Sequence, residues 1–229
     1  MRTPRLLSFA VLLLGLLAQP QIGATVDTTD TKLLTQPALS ATHIAFIYAG
    51  DLYSADLNGG NVRRLTSDEG VETNPVFSPD GSTIAFSAQY DGNLDVFTVP
   101  VTGGAPTRLT WHPRPDVVQA FTPDGKAVLF ASNRNAYNNR YTQLYTIAVQ
   151  GGIEEQLPIP NAARATFSPD GTRIAYNPLQ VQFLQWKQYR GGSAAQLWLY
   201  NTKGHAVEKI PQPASRANDT DPMWVGDTV

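Results

Sequence analysis

The sequence predicts an all-β fold, a β-propeller of four-stranded antiparallel blades, and three observations lead to it. One stretch recurs three times, as Val76-Phe77-Ser78-Pro79-Asp80-Gly81-Ser82-Thr83-Ile84-Ala85-Phe86, as Ala120-Phe121-Thr122-Pro123-Asp124-Gly125-Lys126-Ala127-Val128-Leu129-Phe130, and as Ala165-Thr166-Phe167-Ser168-Pro169-Asp170-Gly171-Thr172-Arg173-Ile174-Ala175-Tyr176. Its aspartates lie 44 and 46 residues apart, which is the length of one propeller blade. The stretch also has the chemistry of a hairpin. Proline presets φ at the first central turn position, aspartate tolerates the next, and glycine supplies the positive φ that closes the turn. Apolar pairs at alternate positions flank it, Ile84 with Phe86 and Ile174 with Tyr176, and that is the period of a strand. Third, 18 glycines and 17 prolines in 229 residues suit many short strands joined by turns better than a helical bundle.

From the N-terminus, residues 1–24 read as a signal peptide outside the fold. Arg2 and Arg5 form a basic start, and residues 6–17 are an apolar run of twelve, short of the roughly 20 needed to span a bilayer. Ala18 and Ala24 are the candidate cleavage points, so the mature chain is expected to be exported, periplasmic or extracellular, with no membrane contact after cleavage. Residues 25–36 are a polar linker, and residues 37–229 are the propeller portion.

The first blade spans residues 37–66. It carries the apolar strand His43-Ile44-Ala45-Phe46-Ile47-Tyr48, then Asp51-Leu52-Tyr53, the turn Asn58-Gly59-Gly60 and an outer strand ending Arg64-Leu65-Thr66. Its first turn is degenerate, with Ala41-Thr42 in place of Pro-Asp-Gly. The second blade, residues 74–110, repeats the outline with Asp95-Val96-Phe97, Gly103-Gly104 and Leu109-Thr110. Paired glycines between apolar runs predict a hairpin turn with positive φ. The third, residues 116–158, has Gln143-Leu144-Tyr145 and Gly151-Gly152 after a longer connection. The fourth, residues 162–211, has Gln196-Leu197-Trp198 and an insertion over residues 178–193. Residues 219–229 open a fifth blade, since Asp221-Pro222-Met223-Trp224 matches Asn74-Pro75-Val76-Phe77. A radial array hides its edges only by closing. Four blades and one strand are too few to close, so the chain is expected to be the N-terminal piece of a longer protein.

Composition and motifs remove several functions. Seventeen basic against 19 acidic residues leave no electrostatic basis for a general nucleic-acid binder. No cysteine is present, which removes a disulfide framework and a Cys-ligated zinc. His43, His112 and His205 are too scattered for a metal set, and there is no Gly-x-Ser-x-Gly elbow or phosphate loop. The aspartates of the three turns recur at one structural position and read as turn residues, not as a catalytic pair. The expectation is therefore no catalytic residue, no metal and no cofactor in this chain. The insertion is the candidate interaction site. Trp186 and Tyr189 bring large amphipathic surface, and Lys187 and Arg190 can meet a carboxylate or a peptide carbonyl.

Ser-Pro-Asp-Gly repeats resemble the bacterial propellers that include the Tol-Pal translocation protein and oligopeptidase lids. Trp186-Lys187-Gln188-Tyr189-Arg190-Gly191-Gly192 resembles an insertion of the tricorn-type proteases, and Asp221-Pro222-Met223-Trp224-Val225-Gly226-Asp227 resembles the start of that family's next blade. Ala131-Ser132-Asn133-Arg134 with Gln143-Leu144-Tyr145 resembles its exported bacterial branch. The resemblance covers residues 33–229. It implies a large serine protease that opens with a six-bladed propeller, of which this chain is an incomplete part. A seven-bladed propeller, a PDZ-like domain and a catalytic domain follow in the family, and the propellers pass peptides to and from the buried site. The implied partners are peptides or unfolded segments, the remaining domains of the protease and further copies of it. A pair of arginines that holds the peptide C-terminus in the family has Arg114 alone in the comparable residues 111–116, and that contact is not carried over. The alternative is a free-standing envelope propeller that binds proteins in the Tol-Pal manner.

Overall fold

The computed structural model describes residues 33–179, 194–212 and 218–229. The expected signal peptide, most of the linker and residues 180–193 of the insertion, with Trp186, Lys187, Tyr189 and Arg190, lie outside the described residues. Four sheets of four strands follow one another along the chain. The first holds β1 (Thr35–Leu39), β2 (His43–Tyr48), β3 (Asp51–Asp56) and β4 (Arg63–Arg64). The second holds β5 (Glu72–Phe77), β6 (Thr83–Ala88), β7 (Asp95–Pro100) and β8 (Thr107–Arg108). The third holds β9 (Asp116–Phe121), β10 (Ala127–Ser132), β11 (Gln143–Ala148) and β12 (Glu155–Gln156). The fourth holds β13 (Arg164–Phe167), β14 (Arg173–Asn177), β15 (Trp198–Asn201) and β16 (Val207–Lys209). Every pairing is antiparallel and each sheet keeps its strands in sequence order, which is the blade expected from the repeat.

The core lies between blades. The second strands of the second, third and fourth blades are buried on both faces, which is why they read as nearly continuous apolar sequence. By contrast, β2 buries Ala45 and Ile47 on one face and leaves Ile44, Phe46 and Tyr48 partly exposed on the other. Ile84, Phe86 and Ala88 of β6 pack with Ile47 and Leu52 of the first blade. On the other face of the same strand, Ala85 joins Val118, Phe121, Val128 and Phe130 of the third. Leu129 and Ala131 of β10 then meet Ala165, Ile174 and Tyr176 of the fourth. An aromatic pair crosses from the second to the third strand at one register: Phe46 with Tyr53, Phe86 with Phe97, Phe130 with Tyr145 and Tyr176 with Trp198. In the first three the rings stack at 5.6–5.8 Å, a contact worth about 0.5–1.5 kcal/mol beyond area burial.

The repeated turns are closed as their sequence predicts, and the aspartates do more than tolerate their position. The N–H of Gly81 donates to the Ser78 carbonyl at 2.8 Å, as Gly125 does to Thr122 at 2.8 Å and Gly171 to Ser168 at 2.9 Å. These glycines have φ of 70–72°, left-handed backbone that other residues enter at a cost. The Asp80 carboxylate accepts from the Ser78 hydroxyl at 2.6 Å and the Ser82 N–H at 3.0 Å, and Asp124 and Asp170 repeat the pattern. Successive turns also touch. A Cβ on Gly125 would lie 3.5 Å from Pro79 Cδ, one on Gly171 3.6 Å from Pro123 Cγ, and one on Gly81 3.2 Å from Ser40 Cβ. The paired-glycine turns vary more. Gly103-Gly104 and Gly151-Gly152 take positive φ throughout, whereas Asn61 and His205 take the left-handed position in the first and fourth blades.

Side chains stitch each inner strand at one register position. The inner strands of the first three blades carry a bulge. From the second blade onward a main-chain N–H at this register, beside the bulge in β5 and β9 and in the regular β13, is received by a side chain of the preceding blade: Asn74 by Gln36 Oε1 at 2.6 Å, Val118 by Ser87 Oγ at 2.8 Å, and Ala165 by Gln119 Oε1 at 3.3 Å. Asp221 is received by Asn177 Oδ1 at 3.1 Å, so residues 219–224 take the place of the next inner strand, as their match to residues 74–77 predicts. They have no ladder partner among the described residues. Trp224 Nε1 donates to the Thr166 carbonyl at 3.2 Å, and Arg173 lies over its ring at 4.8 Å. Val225 and Thr228 then bridge across a tight turn.

Candidate functional site: the lumen bounded by the inner strands

The inner strands converge on one cavity of about 670 Å³, lined by residues 36–38, 73–76, 118–119, 164–166 and 221–223. Three of its walls share an unusual element. Gln36, Asn74 and Asp221 each precede a proline and each has φ of 51–54°. A residue before proline is normally pushed to extended backbone, so these three positions hold a local strain that sequence reasoning did not foresee. They set Pro37, Pro75 and Pro222 on the lumen wall. The lining is mostly main chain, proline, threonine and carboxamide. Its charges are Arg164 and Asp221, on neighbouring walls and paired with each other at 3.3 Å. Such a wall offers hydrogen bonds without a fixed charge pattern, which suits a chain of varied sequence more than one particular small molecule.

The loops around one end hold further interaction chemistry. Residues 111–116 and 133–142 are joined by Arg114 Nη1 donating to Asn139 Oδ1 at 3.2 Å, so Arg114 is engaged within the protein. Trp111 is 63% exposed with Arg108 over its ring, and Tyr137 is 90% exposed and stacked on Tyr141. The flanks of the insertion are fixed, since Asn177 Nδ2 donates to the carbonyls of Gln196 and Asp219, both at 2.8 Å. The Ala195 N–H donates to Asn218 Oδ1 at 3.1 Å. The described flanks of the insertion are thus tethered beside residues 218–221, while Trp186, Lys187, Tyr189 and Arg190 lie outside the described residues.

The histidines do not converge. His43 bonds Thr42 and stands 3.8 Å from Asp56, while His112 accepts from the Arg114 N–H at 3.1 Å. His205 contacts Tyr200. Among the described residues no three His, Asp or Glu side chains form a group able to hold a metal. Hydrogen bonds from Ser168 and Thr172 hold the Asp170 carboxyl down to about 2, and the same contacts lower Asp80 and Asp124. These carboxylates are turn caps.

One buried cluster escaped sequence reasoning. Arg134 lies over both Phe130 and Tyr145, at 5.3 and 4.9 Å from their ring centres. It pairs with Asp116 at 2.5 Å and Glu154 at 3.2 Å. Asp116 is 0% exposed, so the guanidinium neutralises a fully desolvated carboxylate.

Four-stranded sheets following one another around a lumen bounded by their first strands define a β-propeller. Within that class the assignment is specific. The family described as the tricorn protease N-terminal beta propeller domain matches residues 31–229, and the chain belongs to it. Tricorn protease homolog 1 of Streptomyces coelicolor is 30% identical over 186 residues, covering 81% of this chain and 17% of that protein. The crystal structure of the tricorn protease superposes with a TM-score of 0.69 at 26% identity, over 85% of this chain and 20% of that one. A TolB structure from Agrobacterium tumefaciens gives 0.64 at 25% identity, over 80% of this chain and 63% of that one. The chain therefore spans about a fifth of the length of the tricorn proteins it matches.

Proposed function

We propose that this chain belongs to the leading propeller of an exported tricorn-like serine protease, and that its lumen guides peptides to or from a catalytic domain elsewhere in the protein. The observation that carries the reading is the lumen wall of prolines, carboxamides and main chain around about 670 Å³. Its two charges, Arg164 and Asp221, pair with each other. In this reading Trp186 and Tyr189 stack on a passing peptide, and Lys187 and Arg190 meet its carboxylates and carbonyls. Family relatives several times the length of this chain fit partners in the form of further domains and further copies. The TolB likeness fits an envelope address, and it also supports a second reading as a free-standing protein-binding propeller.

The absence of cysteine makes the test direct. Met223→Cys, which lines the lumen, is labelled with a bulky maleimide, and Thr107→Cys on the outer strand β8 serves as control. Binding of a fluorescent unfolded peptide is followed by anisotropy. At least about tenfold weaker binding, about 1.4 kcal/mol, is expected for the lumen label alone. Equal binding by the two labelled chains would overturn passage through the lumen and favour the free-standing propeller.

A further inference from the structure

The buried acid at the seam between the first two blades has no counter-charge of its own. Glu72, the first residue of β5, is 0% exposed. Neither of its carboxyl oxygens, nor the buried Tyr90 hydroxyl, has a partner in hydrogen-bonding geometry. Buried polar groups left in this state are rare enough to need a physical reason. The third blade supplies the comparison. Glu72 and Asp116 both open an inner strand, pairing with Ala88 and Ser132, and both are followed 18 residues later by the side chain that faces them. In the third blade that residue is Arg134, which pairs with Asp116 at 2.5 Å. In the second it is Tyr90, whose ring packs edge-on to Phe97 at 4.8 Å and against the seam core.

The other groups around Glu72 do not replace the missing cation. From β3 and β4 come Asp51 and Arg64, already paired with each other at 2.8 Å. The connection 65–71 brings Thr66, whose hydroxyl accepts the Leu52 N–H at 2.9 Å, and Asp68, which acts on Tyr90. Burial, foremost, and the Asp51 charge both push the Glu72 carboxyl above its usual range, against contacts with Tyr90 and Thr66 that lower it. The site spans two blades, because the Glu72 N–H donates to the Gly50 carbonyl at 2.9 Å.

We propose that Glu72 and Tyr90 form a pH-sensitive latch between the first and second blades, closed while Glu72 is an uncharged carboxylic acid and loosened when it ionises. A neutral acid can donate to or accept from the tyrosine hydroxyl. A carboxylate there would be a desolvated charge beside Asp51, without the arginine that the third blade provides. The sign follows from the raised acid. The seam is most stable below the unfolded glutamate value of about 4.3. It weakens as pH rises from there to the raised folded value and stays weak above it.

Hydrogen exchange of this chain, read at the amides of Glu72, Leu52 and Leu65 across pH 4 to 8, tests the latch. After correction for intrinsic rates, protection at these amides is expected to fall with pH. The fall is about tenfold for each unit by which the acid is raised. Protection at the third-blade seam should not follow. Glu72→Gln keeps the shape without the titration and should give a flat profile. Tyr90→Arg recreates the third-blade pair and should also flatten it, by keeping Glu72 ionised and paired. A wild-type profile that is already flat, or one that either variant leaves unchanged, would overturn the proposal. If Glu72→Gln does not fold, the Tyr90→Arg profile decides alone.

Discussion

Ser87→Ala isolates the stitching of one blade to the next. The Ser87 hydroxyl is buried, donates to the Asp116 carbonyl at 3.0 Å and accepts the Val118 N–H at 2.8 Å. Sterically the change is mild, because the third blade carries Ala131 at the equivalent register, opposite Val117 as Ser87 is opposite Thr73. The loss is therefore polar. Two buried main-chain groups lose their partner, and each such group costs about 1–3 kcal/mol. At the lower bound the pair costs about 2 kcal/mol, which corresponds to about 30-fold faster exchange at the Val118 amide. Urea unfolding should show a lower midpoint with an unchanged slope, and exchange should rise at Val118 before it rises at Ala165, which Gln119 serves. A midpoint shift worth less than about 0.5 kcal/mol, the usual range of surface substitutions, together with unaltered Val118 protection, would refute the idea that this hydroxyl joins the blades.

Two further outcomes follow from charges already described. Arg134→Met leaves Asp116 buried without its cation and should cost about 3–5 kcal/mol; adding Asp116→Asn should recover a large part of it in the same denaturation series. The Asp80, Asp124 and Asp170 carboxyls are lowered by their turn contacts. Their contribution is complete above the unfolded aspartate value of about 3.9 and is lost as pH falls through the folded value, about 2 for Asp170. Urea midpoints measured at pH 5, 3 and 2 should drop for the natural chain, while the triple change to asparagine should give a flatter profile.

Much of the blade was legible because it depends on local chemistry that repeats. Pro-Asp-Gly encodes a turn wherever it stands, and the continuous apolar run Ile84-Ala85-Phe86 encodes a strand buried on both faces. What failed to show has a different physical origin. The four stitches use Gln36, Ser87, Gln119 and Asn177 from two kinds of position, so no single motif marks them; they appear only when blades are set side by side. The strained Gln36, Asn74 and Asp221 run against the preference that proline imposes on its predecessor. The role of Arg134 depends on a buried partner 18 residues earlier, and the equal spacing of Glu72 to Tyr90 and Asp116 to Arg134 is the signal of it present in the sequence. The candidate contacts Trp186, Lys187, Tyr189 and Arg190 lie in residues 180–193, where only the tethered flanks bear on them.

The contact of each turn glycine with the turn before it has a consequence for how such a chain can change. Pro79 sits against Gly125, and Pro123 against Gly171. Every copied segment thus carries a tooth for its successor and a notch for its predecessor, and duplication delivers both at once with their angle already matched. A larger residue in the notch would be answered most directly by a smaller one at the tooth, more than 40 residues away in sequence yet adjacent in space. The first notch is cut for a different tooth, since Ser40 and not a proline stands nearest Gly81, and at 3.2 Å it leaves the least room. Exchanging whole segments among the later positions should preserve the angle between blades, whereas moving the first one inward would bring a mismatched tooth to a notch cut for proline.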